Sequence, residues 1–262
     1  MNAKPNTKPR ALILRAPGTN CEHDTAFAFE LAGADATLMH INQLLNEPGQ
    51  IDEFQILCIP GGFSYGDDIA AGKVFAAQLK NGLSDVLRQF HAQGKLILGI
   101  CNGFQVLIKS GLLFDESESQ PPATLTWNDS GRYRDSWVNL HADDQLCVFL
   151  KGIDQLELPI AHAEGKFIAL NDDEMRKLDE RKQLAIRYCK ASGPNGSVPF
   201  PENPNGSQAD VAGICDPTGR VFGLMPHPER NIDPTHHPNW TRDDCEGGAG
   251  LAIFKNAVNY FA

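Results

Sequence analysis

The sequence predicts an α/β fold: an open, largely parallel sheet flanked by helices, with extra strands that are partly antiparallel. Two observations carry this expectation. Short apolar runs (ALIL, ATLMHI, QILCI, KLILGI) alternate with helix-patterned stretches up to about residue 110, which is the grammar of βαβ units whose parallel strands are covered on both faces. From Pro122 to Val221 the texture changes to segments that alternate apolar and polar residues, as in strands with one wet face. A chain of 262 residues with 42% apolar and 21% charged residues is long enough for one full core. The economical division is therefore a flexible N-terminus over residues 1–10 and a single domain over residues 11–262.

In chain order, ALILR (11–15) makes the first strand and Pro17-Gly18 ends it. His23 to Ala34 reads as a helix, with Phe27, Phe29, Leu31 and Ala32 at compatible spacing and Gly33 as its stop. ATLMHI and QILCIPGG supply two further strands, a helical stretch follows around Val74 to Phe90, and KLILGI leads into a helix from Gly103. SWVNL, QLCVFL, LPIAHAEG, KFIAL and QLAIRYC read as the additional strands. Residues 192–208, rich in Gly, Pro, Asn and Ser, form either an ordered loop or a mobile flap. A last helix runs from about Gly248 to Tyr260, with Leu251, Phe254, Val258 and Phe261 on one face.

The formal charge of -10 and the lack of any Lys or Arg run argue against nucleic acid or an anionic bilayer as partner. Seven cysteines, an odd number without CxxC spacing, point to free thiols in a reducing compartment. The basic start, MNAKPNTKPR, leads only into the short run ALIL, and no apolar segment approaches the ~20 residues of a membrane span. A cytoplasmic location is expected.

The most informative segment is KLILGICNGFQ (95–105). Glycines two residues either side of Cys101 permit a sharp strand-to-helix turn that holds the thiol proud of the sheet edge. The helix N-terminus beyond it favours thiolate over thiol. The alternative is a small buried apolar cysteine, the usual fate of this residue. Cys58, Cys147, Cys189 and Cys215 sit in apolar runs and read as core; Cys21, in PGTNCEH, is the one rival nucleophile. A thiol needs a base, and His227 in MPHPER is delivered by a strand end between two prolines, with Glu229 placed to orient its ring. A plain loop histidine is the alternative. His236, His237 and Cys245 match no usual zinc spacing, so no metal is expected. Backbone N–H groups of Gly62, in IPGGFSYGDD, and of Asn102 are the candidate oxyanion donors.

IPGGFSYGDD, GICNGFQ and MPHPER together resemble the class I, Cys-His-Glu triad glutamine amidotransferases, which have a flavodoxin-like fold, and more narrowly the glutaminase components of phosphoribosylformylglycinamidine synthases. PGTNCEHD, WNDSGRYRDSWV, PIAHAEGKF, NPNGS and GLAIFKNAVNYF extend the likeness along nearly the whole chain. The resemblance implies that Cys101 is the nucleophile, His227 the general base and acid, and Glu229 the triad carboxylate. It places Gly62 and Asn102 at the oxyanion hole and Phe63, Gln105, His162 and Glu164 around L-glutamine. It also implies that the ammonia passes to a large synthase subunit, which uses ATP and Mg to make phosphoribosylformylglycinamidine from phosphoribosylformylglycinamide, with a small third subunit in some complexes. No cofactor is expected in this chain, which has no GxxxxGK[ST] loop. Ala163 stands where the family pattern has glycine, and extra residues around 115–122, 172–181 and 192–208 are expected to meet the partner. Two other readings stay open: a stand-alone thiol hydrolase such as a γ-glutamyl peptidase, and an inactive partner-binding scaffold.

Overall fold

The computed structural model describes residues 8–115, 120–194, 196–242 and 248–262. In order they form β1 (Arg10–Arg15), α1 (Glu22–Ala32), β2 (Asp35–His40), α2 (Ile41–Asn46), β3 (Ile56–Ile59), α3 (Lys73–Gly82), α4 (Ser84–Ala92), β4 (Leu96–Ile100) and α5 (Asn102–Ser110). Then come β5 (Ala123–Thr126), β6 (Arg134–Ala142), β7 (Gln155–His162), β8 (Lys166–Ala169), α6 (Asp172–Glu180), β9 (Ile186–Cys189), β10 (Val211–Cys215), β11 (Val221–Leu224) and α7 (Leu251–Asn259).

One sheet has the order β2-β1-β3-β4-β11-β10-β9-β6-β7, and β5 and β8 form a separate antiparallel pair. The strands from β2 through β11 in that order pair in parallel. Those from β11 through β7 pair antiparallel. The sheet is thus mixed, and the region of alternating segments extends it, apart from KFIAL, whose β8 pairs with β5. In the parallel half, Ala11 to Leu14, Ile56 to Ile59 and Leu96 to Leu98 are fully buried apolar runs, as strands covered on both faces must be.

Several local expectations change. QLCVFL is not a strand: it is a turn followed by a 3-10 turn at Val148–Leu150, held when Val148 N–H donates to Gly219 O at 2.9 Å. The stretch from Val74 to Phe90 is two helices, because Leu83 leaves helical geometry at φ -133. In α1 only part of the apolar set faces inward: Phe29 packs edge-to-face on Phe254 of α7, while Phe27 and Leu31 face solvent. Gly33 stops α1 at φ 104, a left-handed position that suits glycine. The 192–208 segment, residue 195 aside, is a packed loop in which Asn203 ties Ser207 to Asp210.

Arg10, the last residue of the expected flexible arm, already belongs to β1, and residues 1–7 of that arm lie outside the described residues. Residues 116–119 of the extra 115–122 stretch, and Cys245, also lie outside them. The six described cysteines are free and buried. Among the described residues no helix is long and apolar enough to cross a membrane.

Candidate active site

Cys101 sits between β4 and α5 at φ 51 and ψ -103, a strained conformation for any residue with a side chain. The flanking glycines explain how the chain reaches it. A Cβ on Gly103 would lie 1.8 Å from Ile59 O, and one on Gly99 would lie 2.6 Å from Gly103 O, so α5 can start hard against β3 and β4 only without side chains there. Cys101 N–H donates to Leu224 O of β11 at 2.8 Å, and Gln105 N–H returns to Cys101 O at 3.1 Å. The thiol is 4% exposed, and its Sγ points toward Ala161 O of β7 at 3.6 Å.

His227 arrives from the end of β11. Its N–H donates to Pro159 O of β7 at 2.8 Å, so the turn after one strand is fastened to the far edge of the sheet. The ring is 2% exposed and its Nδ1 lies 2.5 Å from Glu229 Oε1. Burial alone would disfavour the charged ring, but Glu229 and then the Cys101 sulfur outweigh it, so His227 holds its proton well above the ordinary histidine range. Nε2 of His227 has no partner of hydrogen-bond geometry among the described residues, although the sulfurs of Cys101 and Cys21 both act on the ring. A buried imidazole with one nitrogen fixed by a carboxylate and the other open beside a thiol is equipped to take and return a proton there.

The glycine loop lies on the other side. Gly62 has φ 142, and a Cβ there would meet Asn20 N at 2.7 Å. Phe63 N–H donates to Gly18 O at 2.9 Å, whereas the Gly62 N–H has no acceptor among the described residues. The Asn102 side chain holds the continuation of this loop. Its Oδ1 accepts from Ser64 N–H at 3.3 Å, and its Nδ2 donates to Asp67 Oδ1 at 3.1 Å and Gln105 Oε1 at 3.0 Å. Burial, then the Glu164 carboxylate, raises the Asp67 carboxyl to about 6. Gln105 Nε2 donates to Glu164 O at 2.7 Å, and the Glu164 carboxylate turns to Ala71 N–H at 3.2 Å. Gln105 and Glu164 therefore form one wall, in which Glu164 braces the loop rather than pointing into open space.

His162 is buried beside His227. Burial, then the charge on His227, lowers it to about 3, so its ring is neutral at ordinary pH. Asn128 Oδ1 lies 3.2 Å from His162 Nδ1, and a Cβ on Gly165 would run into the ring at 2.3 Å. Phe63 stacks on Tyr133, with centroids 6.3 Å apart and planes at 28°, and both rings are partly exposed. Burial, then charge at Cys101, pushes the Tyr133 phenol up, and His227 acts on it in the opposite sense.

All nine residues expected from sequence fall into this neighbourhood in two sets. Cys101, His227, Glu229 and His162 lie together, and Gly62, Phe63, Asn102, Gln105 and Glu164 form the facing loop and wall. Sequence reading missed Tyr133, Asp67 and Arg230. Arg230 is the neighbour of Glu229 in PHPER, which was the available signal; Tyr133 had only its place in WNDSGRYRDSWV. Cys21 is not on an elbow: its sulfur accepts a hydrogen bond from Arg230 Nη2 at 3.2 Å.

Residues 8–261 match the family described as the CobB/CobQ-like glutamine amidotransferase domain. A protein of Dehalococcoides mccartyi described as phosphoribosylformylglycinamidine synthase subunit PurQ is 45% identical over 97% of this chain and 98% of its own length. One of the same description from Methanococcus maripaludis is 42% identical over 97% of each chain. Among solved structures, a chain in the structure of PurLQS from Thermotoga maritima superposes with a TM-score of 0.74 at 30% identity, over 98% of this chain and 100% of that one.

Proposed function

Since the chain belongs to the CobB/CobQ-like glutamine amidotransferase family, we infer that it is the glutaminase subunit of a phosphoribosylformylglycinamidine synthase in purine biosynthesis, with residues 11–262 as one catalytic domain. The observation that carries the reading is the strained Cys101 turn, held by two packed glycines with an imidazole–carboxylate pair beside it. Relatives near 45% identity over the full length support the assignment to purine synthesis.

In this reading the Cys101 thiolate attacks the side-chain carboxamide carbon of L-glutamine, and the Gly62 and Asn102 N–H groups stabilise the resulting oxyanion. His227 gives its proton to the leaving nitrogen as the C–N bond breaks. Ammonia departs, and a γ-glutamyl thioester remains on Cys101. Water then loses a proton to His227 and adds to the thioester carbonyl, and the C–S bond breaks to release glutamate. Glu229 fixes the tautomer and steadies the imidazolium throughout. Phe63, Gln105, His162 and Glu164 line or brace the glutamine pocket, and no cofactor takes part on this chain.

The ammonia goes to a large synthase subunit that uses ATP and Mg, with a small third subunit in the assembly. Likeness to a chain of PurLQS supports such a complex. Part of the partner surface is α6 and the 192–208 loop, and the protein works in the cytoplasm. The isolated chain is a poor glutaminase, because the loop at Gly61-Gly62-Phe63 is set fully only with the synthase docked.

The test is Cys101→Ser in the reconstituted complex. Glutamine-dependent synthesis is expected to fall by at least about 10⁴-fold, while synthesis from added ammonium persists. Loss of both activities in a folded complex, or retention of both, would overturn the reading.

A further inference from the structure

The mechanism leaves one buried nucleophilic group beside the base unused. Cys21 is 1% exposed and immediately precedes α1, yet its side chain does not cap that helix. The sulfur turns inward instead. It accepts from Arg230 Nη2 at 3.2 Å, and its ligand atom and those of His227 and Glu229 all lie within 4.8 Å of one another. Arg230 Nε is 3.9 Å from Glu229 Oε1, the oxygen that holds His227 Nδ1. The guanidinium is thus shared between a sulfur and the triad carboxylate.

The backbone of Cys21 faces the other half of the site. Its N–H donates to Gly61 O at 3.3 Å, and a Cβ on Gly61 would lie 2.8 Å from His227 Cε1 and 3.2 Å from Cys21 Sγ. Cys21 therefore stands where the oxyanion loop, the base and the carboxylate meet.

We propose that Cys21 is a positioning residue of the glutaminase centre: its sulfur takes the Arg230 Nη2 and so limits the guanidinium to a long approach to Glu229, which keeps the carboxylate on His227, while its N–H fixes the glycine loop beneath the same ring. The proposal rests on the assignment of Cys101, His227 and Glu229 as the triad. Without the sulfur, Arg230 is free to close on Glu229. Imidazolium stabilisation then weakens and the His227 pKa falls. The charged or titratable groups facing His227 are Glu229 and Arg230 from its own turn, Cys101 from the elbow, Cys21 ahead of α1, His162 from β7 and Tyr133 ahead of β6. Among these, only Cys21 and Glu229 are held by Arg230.

The experiment compares Cys21→Ala and Cys21→Ser in the full complex, reading kcat and KM for glutamine across pH, with co-elution of the variant chain in the complex and its thermal midpoint as the control for folding. Cys21→Ala is expected to lower kcat by about 10- to 100-fold with KM changed less than about threefold, and to move the alkaline limb of kcat/KM to lower pH. Cys21→Ser, whose hydroxyl oxygen accepts the Arg230 N–H, restores most of the limb. An unmoved limb in Cys21→Ala, or a Cys21→Ser that behaves like Cys21→Ala, overturns the proposal, and a serine variant without the shift decides the matter if the alanine variant does not assemble. These outcomes are separate from failure of the triad itself, which Cys101→Ser reports.

Discussion

The two loops that face each other across the candidate site are fixed by different means. At the elbow, residues 99–103, the turn itself is set by backbone: glycines packed against Ile59 O and Gly103 O, and a main-chain bond from Cys101 to β11. At the facing loop, Tyr65, Asp67 and Ile69 all take positive φ without being glycine, and besides main-chain bonds to Pro17 and Gly18 the segment is held by the side chains of Asn102, Gln78 and Glu164. Left-handed backbone at non-glycine residues costs roughly 1 kcal/mol or more each, and Ile69 is 81% exposed, so no burial offsets its cost within the chain. Both sides carry left-handed strain, Cys101 at the elbow included, but only at the elbow do packed glycines leave no room for the chain to move.

Three experiments bear on this contrast. The largest effect is expected for Gly103→Ala, where the new methyl meets main chain and neither side can yield. Soluble folded protein should be lost, or stability should drop by more than about 3 kcal/mol in urea unfolding. A near-normal midpoint would mean that the elbow is as pliable as its opposite. Next, Asn102→Ala removes the two side-chain bonds to the loop, to Ser64 N–H and Asp67, and the one to Gln105. Glutamine-dependent turnover in the complex should fall about 10- to 100-fold at a stability loss of about 1–2 kcal/mol, with ammonium-dependent synthesis spared; an equal loss of both activities would show that Asn102 serves the whole fold and not the loop. The smallest and most discriminating change is Ile69→Gly. Relief of a left-handed β-branched residue should stabilise the chain by up to about 1 kcal/mol, after the extra entropy of glycine in the unfolded state is subtracted. A destabilised Ile69→Gly would show that this side chain makes contacts within the chain that outweigh the strain.

The same contrast explains what could be read in advance. The elbow was legible because its geometry demands a local pattern, Gly-X-Cys-X-Gly between an apolar strand and a helix. His227 was legible because its prolines fix the chain within a few residues. The parallel half of the sheet followed from buried apolar runs. The antiparallel half was legible as strands but not as one sheet with the rest, since the β9-β6 pairing depends on partners far apart in sequence. QLCVFL misled because apolar composition alone cannot separate a strand from a buried 3-10 turn. The Cys21 and Arg230 contact spans 209 positions and leaves no trace in either local motif.

The edge strand β7 touches both Cys101 and His227, through Pro159 O to the His227 N–H and Ala161 O to the Cys101 sulfur. β7 pairs only with β6 and stands at the end of the strand order. A half-folded molecule whose first five parallel strands had assembled would own the cysteine turn but would lack the clasp that parks the imidazole. The last strand of the order is therefore the one that brings the Cys101 turn and the His227 turn into one place.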